Sequence, residues 1–187
     1  SAASDVYKRQ LQEASGTKRS RIENEITFSD QDAEGVITPH DDALVIKALI
    51  ARFEVSRILV DTGSSTEILY HPAYQKMGLD PKLLKPTDSP LIGFNGDQLR
   101  PEGTIDLPVC LGSAPQCVTL TLNFRVIRAP SSYNVILGRT GLNALKAVIS
   151  NHCLKMKFPT PRGIGEIRGD QKLSRLCYMT TFGPSKG

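Results

Sequence analysis

Through the middle of the chain, apolar residues recur at every second position in short runs, not every third or fourth. That period lines one face of a strand. Leu44-Val45-Ile46-Lys47-Ala48-Leu49-Ile50 and Phe53-Glu54-Val55-Ser56-Arg57-Ile58-Leu59-Val60 read as two strands, and the short Ala51-Arg52 link makes them a hairpin. The second run ends on three consecutive apolar residues, so its exit is expected to be buried on both faces. Glu67-Ile68-Leu69-Tyr70 is a further strand. His71 to Met77 reads as a short helix, with Pro72 in its first turn and Gly78 as its stop. Leu91 to Val109 reads as one long hairpin. Leu91-Ile92-Gly93-Phe94 rises, Asn95-Gly96 sits near the tip, and Thr104 to Val109 returns. Val118 to Val126 alternates cleanly, and Tyr133-Asn134-Val135-Ile136-Leu137 is an inner strand ended by Gly138. A short helix is expected over Thr140 to Ala147, with Thr140 as its cap, followed by a last hairpin built from 148–150 and 153–158.

The two ends differ from this middle. Residues 1–25 are polar and read as a flexible leader. Ile26-Thr27-Phe28 is a possible short strand, 29–42 an acidic loop, and 159–187 mostly irregular. Hydrophobic residues make up 40% and charged residues 22% of the 187, which excludes wholesale disorder; with aromatics at 6% and no Trp, the core must be Val, Ile and Leu. The net charge of +4 is uneven: 151–187 hold seven basic and two acidic residues. That tail is expected to be a solvated basic linker, and nucleic-acid binding by 159–187 would be weak, since few aromatics are interleaved. The four cysteines form no CxxC, so no metal site is expected. Cys110 and Cys117 flank a turn across which they could approach. The opening residues hold no secretory apolar stretch, and no run spans a bilayer, so reduced thiols in a cytoplasmic setting are expected.

Candidate chemistry concentrates in Ile58-Leu59-Val60-Asp61-Thr62-Gly63-Ser64-Ser65. A carboxylate stands where a hydrophobic strand exits, in a turn of small residues. The apolar approach desolvates Asp61, and the Thr62 hydroxyl and Gly63 amide can hold the loop. Alone, Asp-Thr-Gly is also an ordinary turn after a strand. Its setting changes the weight: a strand precedes it, a glycine-flanked hairpin (Gly93-Phe94-Asn95-Gly96) follows about thirty residues later, and Val135-Ile136-Leu137-Gly138-Arg139 leads into a helix. His40 and His71 with Ser64 or Ser65 could be drawn as a hydrolase triad, but Gly63-Ser64-Ser65-Thr66-Glu67 breaks Gly-x-Ser-x-Gly.

This order over roughly 40–158 resembles the retropepsin-like aspartic proteases. More narrowly, Pro39 to Ile46, Arg57 to Ser65, Gly93-Phe94-Asn95-Gly96 and Leu107-Pro108-Val109 resemble the protease of plant Gypsy-type LTR retrotransposon Gag-Pol polyproteins. Lys157-Phe158-Pro159-Thr160 with Gly163-Ile164-Gly165 is similar to the stretch leading towards their reverse transcriptase. The resemblance implies a mainly β fold, a closed barrel with one or two short helices, over a domain spanning 26–158. It implies an aspartic endopeptidase that needs no cofactor, with Asp61, Thr62 and Gly63 catalytic. Ser64, Gly93, Phe94, Asn95, Gly96, Ile136 and Leu137 would meet substrate, although Phe94 is also readable as an ordinary hairpin side chain and Ile136 and Leu137 as plain core. Gly138 and Arg139 would be structural. In some retroviral relatives an Asp two residues after the catalytic Gly pairs with this Arg; here Ser65 stands there, leaving Glu67 as a substitute partner.

Aspartic proteolysis requires two carboxylates sharing one proton around a water. The chain has one Asp-Thr-Gly and no internal repeat. The second Asp is therefore expected from a second copy, with the site on the two-fold axis of a homodimer. By the resemblance, Thr62 would hydrogen-bond across that axis. The implied substrate is Gag-Pol polyprotein, cleaved in the cytoplasm within virus-like particles. The alternative is a catalytically silent peptide-binding or dimerisation module of the same fold.

Overall fold

A computed structural model of the chain describes residues 25–93 and 95–181. The leader expected over 1–25 lies, apart from Glu25, outside the described residues, as does Phe94. The described chain is mainly β, with three short helices.

Six strands close into a barrel: β1 (Val45–Ile50), β2 (Phe53–Val60), β3 (Glu67–Tyr70), β6 (Gly103–Ser113), β7 (Gln116–Ile127) and β8 (Val135–Leu137), in the order β1-β2-β8-β3-β7-β6. Alternation explains most of them. In β6, Gly103, Ile105, Leu107, Val109 and Leu111 point inward and the residues between are less buried, so every second side chain enters one core. β8 lies between β2 and β3, parallel to the first and antiparallel to the second, and all three of its residues are buried. Both faces of β8 are buried, hence its unbroken apolar run.

The β6–β7 hairpin sets Cys110 opposite Thr119 and Cys117 opposite Gly112, and both thiols are free. Residues 104–109, expected to return from the Asn95-Gly96 tip, belong instead to β6 and pair with β7 and β1. The tip has its own small sheet, β4 (Leu91–Ile92) with β5 (Gln98–Leu99). The long run of β7 outcompetes the short segment before the tip as a partner. Helix α1 (His71–Met77) ends at Gly78 in the left-handed region. Helix α2 (Arg139–Leu145) begins from Gly138, not from Thr140 as expected.

The expectation of an irregular stretch over 159–187 is corrected for the described part. After β9 (Val148–Ser150) and β10 (Lys155–Thr160), β11 (Gly163–Arg168) adds a third strand and α3 (Gln171–Thr181) a third helix. Phe158 is fully buried, with the backbones of Gly112 and Gly165 closing on its ring. Residues 26–28 form no strand; Lys157 Nζ donates to Thr27 O at 2.8 Å and sits over the Phe28 ring. The acidic loop contains a short 3-10 turn, Asp30–Ala33.

Candidate active site

Asp61 follows β2 at the open end of the barrel. Its N–H donates to Leu137 O at 3.0 Å, which continues the parallel β2–β8 pairing by one residue. The chain then turns: Gly63 N–H donates to Asp61 Oδ1 at 2.9 Å and Ser64 N–H to Asp61 O at 3.2 Å. A carboxylate that accepts an amide two residues on is an Asx-type turn, and it orients the Asp61 side chain by its own loop. Asp61 is half-buried, and Thr62 and Gly63 are exposed. The exposure follows from the chain path, because the loop must pass over the end of β8 to reach β3.

The first turn of α2 backs this loop. Arg139 N–H donates to Ser64 O at 2.8 Å, Thr140 Oγ1 to Ser65 O at 2.7 Å and the Arg139 guanidinium to Thr62 O at 3.4 Å. Ser64 Oγ donates to Thr66 O at 2.7 Å, so that hydroxyl is committed to the turn. Glu67 makes no ion pair with Arg139. It is buried, and its Oε1 accepts Gly141 N–H at 2.5 Å. Burial raises the Glu67 carboxyl above its ordinary pKa, and the amide donors offset part of that rise.

An open groove of about 680 Å³ runs beside the loop, lined by His40, Asp42, Leu44, Val60, Asp61 and Thr62 among others. His40 is fixed in it: Nδ1 accepts Asp42 N–H at 3.1 Å, which leaves Nε2 to donate to His152 O at 3.0 Å. His71 is elsewhere, 2.7 Å from Glu102. Neither histidine approaches the serines in a triad. Tyr133 lies within the field of Asp61; burial, then Cys177, Tyr70 and Asp61, push its phenol above the ordinary value.

Of the residues expected to meet substrate, Gly93, Asn95 and Gly96 lie on the separate β4–β5 hairpin. Gly93 N–H donates to Asp97 O at 2.8 Å and Gly96 N–H to Gly93 O at 3.0 Å, closing the tip. Ile92 on that hairpin is 72% exposed, an apolar side chain left without cover. Ile136 and Leu137 are buried in β8, and Leu137 reaches the site through its carbonyl. The hairpin is moored at both feet: Lys85 and Thr104 exchange backbone hydrogen bonds of 2.8 Å, and Glu102 takes the Arg128 guanidinium and His71, each at 2.7 Å. The mooring by Glu102 and the setting of Glu67 were missed in the sequence. The available signal for Glu67 was an acid in an apolar strand six residues after Asp61, facing a glycine-started helix.

No family model matches the chain, and no curated protein matches it. Solved structures do. The retroviral protease-like domain of Ddi1 from Leishmania major superposes with a TM-score of 0.52 at 16% identity, over 71% of this chain and 94% of that one. A retropepsin-like aspartic protease from Rickettsia conorii matches at 0.43 and 21% identity, over 66% and 80% of the two chains. EIAV protease complexed with the inhibitor HBY-793 matches at 0.43 and 22%, over 62% and 99%. At these identities the likeness is one of fold, and the first of the three carries it: the barrel is retropepsin-like.

Proposed function

We propose that the chain is an aspartic endopeptidase that works as a homodimer, each copy supplying one Asp61. The observation that carries this reading is the setting of Asp61. A single Asp-Thr-Gly loop passes over the end of β8 in a retropepsin-like barrel, with its carboxylate held by Gly63 N–H and its backbone by Leu137 O. Two such carboxylates facing across a two-fold axis share one proton, because like charges about 3 Å apart do not both ionise cheaply. The ionised one takes a proton from a bound water, and the protonated one donates to the scissile carbonyl oxygen. The water's oxygen adds to the carbonyl carbon, and the C–N bond then breaks as its nitrogen takes up a proton. The exposed Thr62 and Gly63 belong on the dimer axis.

The β4–β5 hairpin is the flap, with Gly93, Asn95 and Gly96 against the substrate backbone and Ile92 supplying apolar surface. An extended peptide pairs with such a hairpin edge strand-fashion. The substrate proposed from the resemblance is a Gag-Pol polyprotein of a plant Gypsy-type element, processed in virus-like particles in the cytoplasm. The test is cleavage of a peptide library by the purified chain at concentrations that favour the dimer. Wild type is expected to cleave with sensitivity to statine inhibitors, and Asp61→Asn to fall to assay background. Equal cleavage by Asp61→Asn would overturn the mechanism.

A further inference from the structure

A carboxyl group inside a barrel wall is costly to charge unless donors converge on it. Glu67 is 1% exposed, at the start of β3 and directly after the Asp61 loop. Across from it, α2 starts at Gly138, which has no side chain with which to accept the amides that a helix start leaves open. Glu67 accepts one of them from the neighbouring strand. Its Oε1 takes Gly141 N–H at 2.5 Å. The fit excludes side chains at both glycines. A Cβ on Gly141 would lie 2.5 Å from Glu67 Oε1, and one on Gly138 would run into Thr66 O and Ser64 O.

The consecutive residues 137–141 therefore form a clamp. Leu137 holds the Asp61 backbone, Arg139 holds Thr62 and Ser64, Thr140 holds Ser65, and Gly141 is gripped by Glu67. In front of the clamp, Thr62, Gly63 and Ser65 are exposed. The loop's position is fixed from behind.

We propose that Glu67 is the positioning residue of the Asp61 loop, tying β3 to the first turn of α2 so that Asp61 is presented at a fixed place at the barrel mouth. The proposal rests on the aspartic-endopeptidase reading, since it assigns Glu67 a part in that reaction. Two Asp61 carboxylates must meet within hydrogen-bonding reach, and a misplacement of about 1 Å costs on the order of 100-fold in rate. The flap that binds substrate is moored elsewhere, at Lys85 and Glu102. Loosening Glu67 thus lowers kcat and spares KM.

The test compares wild type with Glu67→Ala and Glu67→Gln above the dimer dissociation constant, with active sites counted by titration with a statine inhibitor. For Glu67→Ala, kcat per titrated site should drop roughly 10- to 100-fold with KM within about threefold. Its Asp61 and Arg139 amides should exchange with solvent faster, with β7 amides unchanged. Glu67→Gln keeps an oxygen for Gly141 but replaces the other carboxyl oxygen with an NH₂ donor, and should fall in between. Where Glu67→Ala does not fold, Glu67→Gln decides on the same two readouts. Wild-type kcat per titrated site, or unchanged exchange at Asp61 and Arg139, overturns the proposal. Absence of cleavage by wild type would defeat the endopeptidase reading, and the exchange comparison would still judge the tie.

Discussion

At Gly138 there is no room for a Cβ, because the carbonyls of Thr66 and Ser64 close on it from the loop that follows Asp61. Gly138→Ala must push that loop away, and overpacking of this kind costs about 1–3 kcal/mol or more. The expected outcome is a lower melting temperature together with a statine inhibitor that binds more weakly; an unchanged melting temperature would mean that the loop yields freely. Residues of this kind were half legible in the sequence. Asp61 announces itself, because the chemistry needs a carboxylate after a buried strand and the motif is contiguous. Gly138 was legible as the end of an inner strand. Glu67 was legible only as an acid near an arginine, and the partner read for it was wrong. Its true partner is the Gly141 amide, and amides leave no trace in a sequence. Arg139 likewise bonds a backbone carbonyl, Thr62 O, that any residue could have supplied.

Among the elements, β7 was readable because its clean alternation leaves one interpretation, and β1 and β2 because two apolar-rich runs flank a short link. β11 was not. Gly163-Ile164-Gly165 has too few side chains to show a period, yet Gly165 is needed there because the Phe158 ring occupies the place of a Cβ. α3 carries a basic, weakly amphipathic sequence, and its docking is polar. Gln171 binds both the N–H and the C=O of Ile37 at 2.9 Å, Ser174 Oγ donates to Ala43 O at 2.8 Å, and Arg175 reaches Asp42 at 2.9 Å. A chain truncated after Phe158 therefore loses cover over Leu154, Met156 and Phe158. Exposing a large apolar side chain costs about 1.5–3 kcal/mol, and at roughly 2–4 °C per kcal/mol the truncated chain should melt about 10 °C or more below the full chain. Equal melting temperatures would restore the linker expected over 159–187. At the foot of the β4–β5 hairpin, Glu102→Gln weakens the hold on Arg128 and His71. Peptide KM should rise several-fold with kcat little altered, and a change confined to kcat would speak against a mooring role.

Over the whole molecule, charge joins the N-terminal segment to the C-terminal sheet. Asp32 Oδ1 lies 2.9 Å from Lys157 Nζ and 3.0 Å from Lys155 Nζ, and the side chain of Asp32 also accepts Ser29 N–H. Hydrogen bonds from Lys157, Ser29 and Lys155 hold its carboxyl well below the usual carboxylate range. Asp42 and Glu102 are also lowered: burial pushes each up, but Gln171 and Arg175 at the first, and Arg128 and His71 at the second, outweigh it. A carboxyl with a depressed folded pKa contributes stability above its unfolded value, about 4, and loses it as pH falls through the folded one. Asp32→Asn should accordingly melt well below wild type at neutral pH, and the gap should narrow as the pH is lowered below about 4. A gap independent of pH would show that Asp32 acts through packing alone.

The same scale holds the central claim, that one chain carries half of an active site. Wild type and Asp61→Asn are mixed at fixed total concentration, allowed to exchange subunits, and assayed for peptide cleavage. If both carboxylates of the site come from Asp61, only wild-type pairs cut, and activity follows the square of the wild-type fraction, roughly a quarter at equal amounts. Activity that falls in simple proportion to the wild-type fraction would mean that each chain cuts by itself, and would contradict the shared site.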